Sequence, residues 1–446
     1  MNAIHELSSL VALPEFDLFG VPPTQLTVEK DIQTEHRPIS SLSSSSTPIQ
    51  FEIHTGIDEY IQMRECELYL CIRVSLAKPS SANSPDITAE DWKKVSPVNY
   101  LLHSMIKQVT LHIGQTQVNT STAFYPYIAY IDALTSYSSE AKRSFLTSAL
   151  WYKDKSGDMD SVNQTRGKFI RPNGVDLSKG CDLELIGKLH LDLGSQDRAI
   201  VGGATIGITV ILNEPKFYLL YENSVIPTVE ILDTCLYMHR SKVNPAVVQA
   251  HHRALQSATA KYFINRKEVK AFNLAAGTID GYINNVQNGV LPRRVYVGFV
   301  SNEAFNGKND LNPFHFFHFG IRHIACYLDG SQYPLRPYSP DFNKKKYIRE
   351  YFGLFEAANQ TGNKVDIGMT REEYGDGFTL FGFNFAPDLA EGCTRSGYVS
   401  PIRYGSLRIE VRFSQAIRET VTAVVFCEYD SLVELPLSRV AIKNFN

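Results

Sequence analysis

Apolar and polar residues alternate over short runs through most of the chain. Ile49, Phe51 and Ile53 are interleaved with Gln50, Glu52 and His54, and Cys66, Leu68, Leu70, Ile72 and Val74 share one face of a longer run. The same alternation returns at Leu189, Leu191 and Leu193, at Val295, Val297 and Phe299, and at Leu407, Ile409, Val411 and Phe413. Successive side chains of a strand point to opposite faces, so a period of two marks a strand with one side in a core. Apolar runs at 204–212 and 421–427 read as strands as well. Helical spacing is the exception. It occurs at Ile128, Ile131 and Leu134, through 141–150 with Ser139 as cap, and through 245–255 with Asn244 as cap and Pro245 at the first helical position. A last helix over 344–355 sets Tyr347, Ile348, Tyr351, Phe352 and Phe355 opposite a wet face of Lys344, Lys345, Lys346 and Arg349.

One stretch occurs twice. Residues 101–118 (LLHSMIKQVTLHIGQTQV) and 316–333 (FFHFGIRHIACYLDGSQY) align without gaps about 215 positions apart, His103 on His318, Ile106 on Ile321, Val109 on Ile324 and Ile113 on Leu328. The same offset lays Ile206, Ile208, Val210 and Leu212 over Val421, Ala423, Val425 and Cys427. The pattern implies a tandem duplication of one β-domain. Halves of this size suit large antiparallel sandwiches of eight strands. The expected fold is all-β, two tandem jelly rolls with short helical excursions, divided as an N-terminal arm at 1–48, a first roll at 49–222 and a second at 223–446. Residues 78–97, rich in proline and polar residues, are expected to form a surface loop.

Composition narrows the function. The chain has 446 residues, a net charge of -3 and 43% hydrophobic residues, which gives ample core and no basic surplus for nucleic-acid binding. Seven cysteines are scattered without a CxxC pair, so neither a disulfide framework nor a zinc site is expected. The N-terminus lacks a signal-peptide pattern, which predicts intracellular synthesis without export, and no window reaches the length of a membrane span. No GxSxG, HExxH or Walker loop occurs, and no catalytic residue or cofactor is expected. His315, His318 and His323 are the nearest approach to a metal cluster, but alternation along a strand points His315 and His318 to opposite faces. Only Trp92 and Trp151 are available as aromatic platforms for a glycan.

The arm is informative in another way. Its prolines recur, 40–47 is serine-rich, and Leu18, Phe19, Val21 and Leu26 are apolar anchors among polar residues. To residue 50 it holds two basic residues against six acidic ones, the wrong sign for nucleic acid and suited to lying along another protein surface.

The ordered segments LPEFDLFGVPPTQ, PIQFEIHTGIDEYIQM, PVNYLLHSMIKQVTLHIG, YPYIAYIDALTSYSSEAK, PRRVYVGFV, NPFHFFHFGIRHI and GSLRIEVRFS resemble the major capsid proteins of Polinton (Maverick) elements and adintoviruses. That resemblance implies a double jelly-roll capsid subunit, homotrimeric, whose pseudo-hexameric capsomers tile an icosahedral virion shell. It implies the chain itself, neighbouring capsomers and minor capsid or penton proteins as partners, and no enzymatic activity. By match, Phe16, Leu18, Phe19, Val21, Pro22, Pro23 and Gln25 would make inter-subunit contacts at the base. The alternatives are a double-β-sandwich hydrolase or monooxygenase, and a glycan-binding protein.

Overall fold

Two successive sets of antiparallel strands make up the computed structural model, which describes residues 7, 13–40, 48–79, 86–120, 122–172, 177–362, 366–389 and 391–444. The serine-rich stretch at 41–47, residues 80–85 of the expected surface loop and most of the arm before residue 13 lie outside the described residues. The first set comprises β1 (Val28–His36), β2 (Ile49–Ile53), β3 (Glu59–Ala77), β4 (Ile106–Ile113), β5 (Thr116–Gln117), β6 (Cys181–Lys188), β7 (Ile206–Leu212) and β8 (Ile226–Val243). The second comprises β9 (Ala260–Leu274), β10 (Asp280–Val290), β11 (Arg294–Ser301), β12 (Ile321–Leu328), β13 (Ser331–Tyr338), β14 (Leu380–Asn384), β15 (Tyr404–Phe413) and β16 (Val421–Leu435). Hydrogen bonding orders the first set as sheets β1-β8-β3-β6 and β2-β7-β4-β5. It orders the second as β9-β16-β11-β14 and β10-β15-β12-β13, the same order strand for strand. Each set is a jelly roll, two four-stranded paths facing each other across a core, and a short strand at Ile442–Asn444 adds to the second roll by pairing with β16.

The repeated stretch survives down to single residues. β4 and β12 have the same sequence of buried, half-buried and exposed positions. β4 pairs with β7 through Ile106↔Leu212, slips in register before Gln108, and continues through Val109↔Val210 to Ile113↔Ile206. β12 pairs with β15 through Ile321↔Phe413, slips before His323, and continues through Ile324↔Val411 to Leu328↔Leu407. This pairing corrects the second expected match: the counterpart of Ile206–Leu212 is Tyr404–Phe413, not the strand that starts at Val421. Alternating apolar residues fit any β-strand, so an ungapped offset could not distinguish two neighbouring strands.

Other expectations meet differences with clear causes. The division expected between residues 222 and 223 falls before β8, which hydrogen-bonds to both β1 and β3. The expected arm likewise contains β1, an edge strand of that same sheet. Leu189, Leu191 and Leu193 are buried, yet the chain there leaves β6 and coils into a 3-10 turn at Asp192–Ser195. The helix after α1 (Tyr125–Ser136) is α2 (Ser139–Arg143), and Ser138 is its cap, accepting from the Ala141 N–H at 3.2 Å. Residues 89–97 are not all loop surface, because Asp91, Trp92, Val95 and Ser96 are buried. Following α3 (Pro245–Leu255), the helix expected over 344–355 is α4 (Ile348–Ala358), with the lysines in a preceding turn closed by Asp341 and Lys346.

Layering explains the apolar runs. Val421, Ala423, Val425 and Cys427 of β16 enter the core between the second roll's sheets, while Val424 and Phe426 enter the core shared with the first roll. β11 does the same, Val295, Val297 and Phe299 inward and Tyr296 and Val300 outward. The sheet β9-β16-β11-β14 is therefore covered on both faces, and β11, β14 and β16 lose the polar alternation that a one-sided sheet keeps, while the edge strand β9 retains polar residues. Each buried Val or Phe among them contributes roughly 1.5–3 kcal/mol.

Candidate assembly surface

Two buried polar groups join the rolls. Lys267 on β9 reaches across to Asp132 on α1 at 2.7 Å, and His190 holds the same carboxylate through Nδ1 at 2.7 Å. Tyr100 Oη lies 2.9 Å from His190 Nε2, and His103 Nδ1 lies 3.0 Å from Tyr125 Oη. Burial works to raise the Asp132 carboxyl, but the Lys267 ammonium and His190 outweigh it and hold the group well below the usual carboxylate range. Burial pushes neighbouring Asp192 up to about 6, against the opposing pull of the Lys267 N–H and ammonium. Burial also drives His103 well down, so the imidazole is a neutral packing group. In the second group, Arg166 pairs with Asp154 at 2.6 Å, and Asn312 from the second roll donates to Asp154 at 3.2 Å and to Asp160 at 2.7 Å. Aromatic rings pack between them, Tyr130 stacked on Phe314 at 4.2 Å.

Edges of the two rolls are treated differently. β9 is an edge strand, and the turn at Asp192–Ser195 in the first roll caps it: the Lys267 N–H donates to Asp192 Oδ1 at 3.1 Å and the Asn265 N–H to Ser195 Oγ at 3.4 Å. β1 occupies the corresponding edge of the first roll, and among the described residues no strand lies beyond it. The outer face of its sheet is charged rather than apolar. Arg73 forks onto Asp182 at 2.6 and 2.8 Å, Tyr69 donates to Glu184 at 3.0 Å, and His239 meets Asp31 at 2.7 Å.

From this open edge the arm departs. Gln25 closes a turn at the start of β1, accepting from the Val28 N–H at 2.8 Å and donating to the Val28 carbonyl at 3.0 Å. Pro22 and Pro23 lack N–H donors and hold the chain extended ahead of it. Phe16, Leu18, Phe19 and Val21 are 74%, 77%, 94% and 91% exposed. An apolar run this bare is uncommon on a chain that works alone.

The comparisons with known proteins fit this architecture. No family model matches the chain. An uncharacterized protein of Caenorhabditis elegans is 23% identical over 439 residues, spanning 94% of this chain and 98% of its own. Among solved structures, a chain of the Sputnik virophage aligns over 99% of this chain and 94% of its own with a TM-score of 0.65 at 12% identity. The mavirus major capsid protein aligns over 99% and 97% (TM-score 0.55, 11% identity), and the Faustovirus major capsid protein over 93% and 92% (TM-score 0.56, 9% identity). The fold is a double jelly roll.

Within the double jelly roll the three histidines of 315–323 do not converge. His315 meets Asp160 at 2.9 Å, His318 stacks on Phe342 at 4.1 Å, and His323 stands 3.9 Å from Glu410. Both tryptophans are buried, which removes them as glycan platforms. Among the described residues no helix is long and apolar enough to cross a membrane. Sequence reasoning missed the cluster of Asp132, His190, Asp192 and Lys267, because it is assembled from three separate segments: α1, the 190–192 turn after β6, and β9. The one available signal was a lysine in the middle of a β-rich stretch.

Proposed function

We propose that this chain is a structural major capsid protein whose homotrimers form pseudo-hexameric capsomers of an icosahedral virion shell. The observation that carries the reading is the duplication itself, strand order and register slip included. A trimer presents six similar sides only if each subunit consists of two like halves. The two units are 28–243 and 260–444, with the arm before residue 28 and α3 as the link. The capped edge of the second roll supplies the pattern for a contact between copies, in which a neighbour covers the β1 edge and the open face beside it. Phe16, Leu18, Phe19, Val21, Pro22, Pro23 and Gln25 are the arm's contacts with such a neighbour. The ordered segments from LPEFDLFGVPPTQ to GSLRIEVRFS favour Polinton and adintovirus capsid proteins as the lineage, and the partners are further capsomers and minor capsid or penton proteins. The named likenesses to mavirus and Faustovirus capsid proteins support the same assignment.

Sedimentation of the purified chain tests it. The expected species is a trimer of the 50.1 kDa subunit, with pseudo-hexagonal particles in electron micrographs. A monomer that persists across micromolar concentrations would overturn the reading, since obligate interfaces of roughly 2,000 Å² or more do not dissociate there.

A further inference from the structure

A groove of about 280 Å³ opens where the two rolls meet, close to the lower size limit of pockets that hold small ligands. Its walls are Tyr60, Ala199, Val201, Ala254, Leu255 and Tyr262, contributed by β3, the turn before β7, α3 and β9. Tyr60 Oη is already engaged by His251 Nδ1 at 3.0 Å, which leaves the floor largely apolar. Two cations line the groove, Arg198 and Lys261, the former donating to the carbonyl of the latter at 2.6 Å. Arg439 stands nearby, donating to the Gly202 carbonyl at 2.8 Å. One acid is close by, Glu434, which accepts from Thr259.

The arm has the complementary composition. Phe16, Leu18 and Phe19 alternate with and follow Glu15 and Asp17, and no basic residue occurs from 13 to 29. Its root and the groove sit at opposite ends of one helix. The Asn244 N–H, at the cap of α3, donates to the Thr27 carbonyl at 2.9 Å, and the groove lies at the other end of the same helix. Eleven residues of helix separate the two by about 16 Å. The arm of the same chain does not fill the groove, since its apolar side chains stand in solvent.

We propose that the groove at the α3–β9 junction is the receptor for the arm of a second copy of this chain, with the Phe16–Phe19 segment seated on its apolar floor and Glu15 and Asp17 facing Arg198 and Lys261. The contact is head-to-tail: the surface that gives and the surface that receives are different. Repeated round a closed ring, it links every subunit to the next without leaving an arm unused. The inference rests on the capsomer reading and names a contact that holds it together.

A trans cross-link tests it on the full chain. Phe19→Cys in one variant is co-expressed with Ala254→Cys in another so that mixed trimers assemble, and the trimers are oxidised. A disulfide-linked dimer that needs both variants, and that does not form when Asn288→Cys replaces Ala254→Cys, is the expected result. A bond formed only within one chain carrying both substitutions overturns exchange between copies. Trimers that form normally with no cross-link of either kind overturn the groove as receptor and leave the capsomer reading standing; a chain that never trimerises overturns that reading and this inference together. Charge reversal gives an independent measurement. Arg198→Glu with Lys261→Glu should weaken trimer association about tenfold, and Glu15→Lys with Asp17→Lys on the same chain should restore it. Failure of the second pair to rescue the first would show that the arm does not face those cations.

Discussion

The sheets β1-β8-β3-β6 and β9-β16-β11-β14 share one strand order and differ in what lies against them. The second is packed on both sides, with Tyr296, Val424 and Phe426 pressed into the core it shares with the first roll and its edge N–H groups held by Asp192 and Ser195. The first has its inward face buried and its outward face set with Arg73, Asp182, Tyr69 and Glu184. A tandem repeat of two has one internal junction and two free ends, and the difference between the sheets is the difference between a junction and an end. What looks like a defect in the first roll, an uncovered edge strand running into an apolar arm, is the position that the second roll would occupy if the series continued.

The largest expected effect comes from breaking the junction. Lys267→Met leaves the buried Asp132 carboxylate without its ammonium partner and should cost about 3–5 kcal/mol. Thermal unfolding checks this, with Lys30→Met on the exposed part of β1 as the matched change at the free end, where the melting temperature should not move. Equal losses at the two lysines would mean that the junction and the end are energetically alike. The next effect tests the repeat directly. Ile106 and Ile321 are buried to within 1% of each other at the start of β4 and β12. Ile106→Ala and Ile321→Ala should each cost about 2–5 kcal/mol, and the two losses should agree to about 1 kcal/mol if the pockets are equivalent. A wide gap would show that shared register does not carry shared packing.

How much of this was legible depended on which forces act on each strand. β2, β4, β11, β12, β15 and β16 announce themselves because their apolar residues either alternate or run together. β1, β8 and β9 do not. β8 carries Asp233, Thr234, His239, Arg240 and Ser241 along a single strand, and β9 carries Arg266, Lys267 and Glu268 in sequence. Their partners come from the other roll or from the open face, so the polar residues are satisfied by contacts that no window of sequence contains. The pairing of β8 with β1 and β3, and β1 itself within the expected arm, were hidden in the same way. Phe16, Leu18, Phe19 and Val21 stand out in the sequence as apolar residues among polar ones, and among the described residues nothing covers them. The groove was not legible, since its walls come from four separate elements.

A pH experiment sharpens the junction further. The Asp192 carboxyl is raised to about 6 by burial, above its unfolded value, so the folded chain keeps a proton that the unfolded chain has released. Stability from this group is therefore greatest below pH 4 and falls as the pH rises toward 6, by on the order of 3 kcal/mol in all. Asp192→Asn has no proton to lose and can still accept from the Lys267 N–H. The difference between wild type and variant should shift in the variant's favour from pH 4 to pH 6.5 and stay flat above it. A difference that is constant across that window would mean the carboxyl titrates as it does in solvent.

The smallest effect belongs to the free end. Arg73 and Asp182 form a well-aligned pair, but both side chains are in water, where an ion pair exchanges solvation for attraction at little net gain. Arg73→Ala should leave the melting temperature of the isolated chain unchanged at physiological salt. The pair acquires importance only when something covers it, because desolvation strengthens the attraction and raises the penalty for leaving one partner alone. If copies associate as proposed, the same substitution should therefore lower the melting temperature of the assembly more than that of a chain kept monomeric by substitutions at its contact surface. Identical shifts in both states would place the open face outside the contact between copies, and the likeness between the β1 edge and the covered β9 edge would then end at strand order.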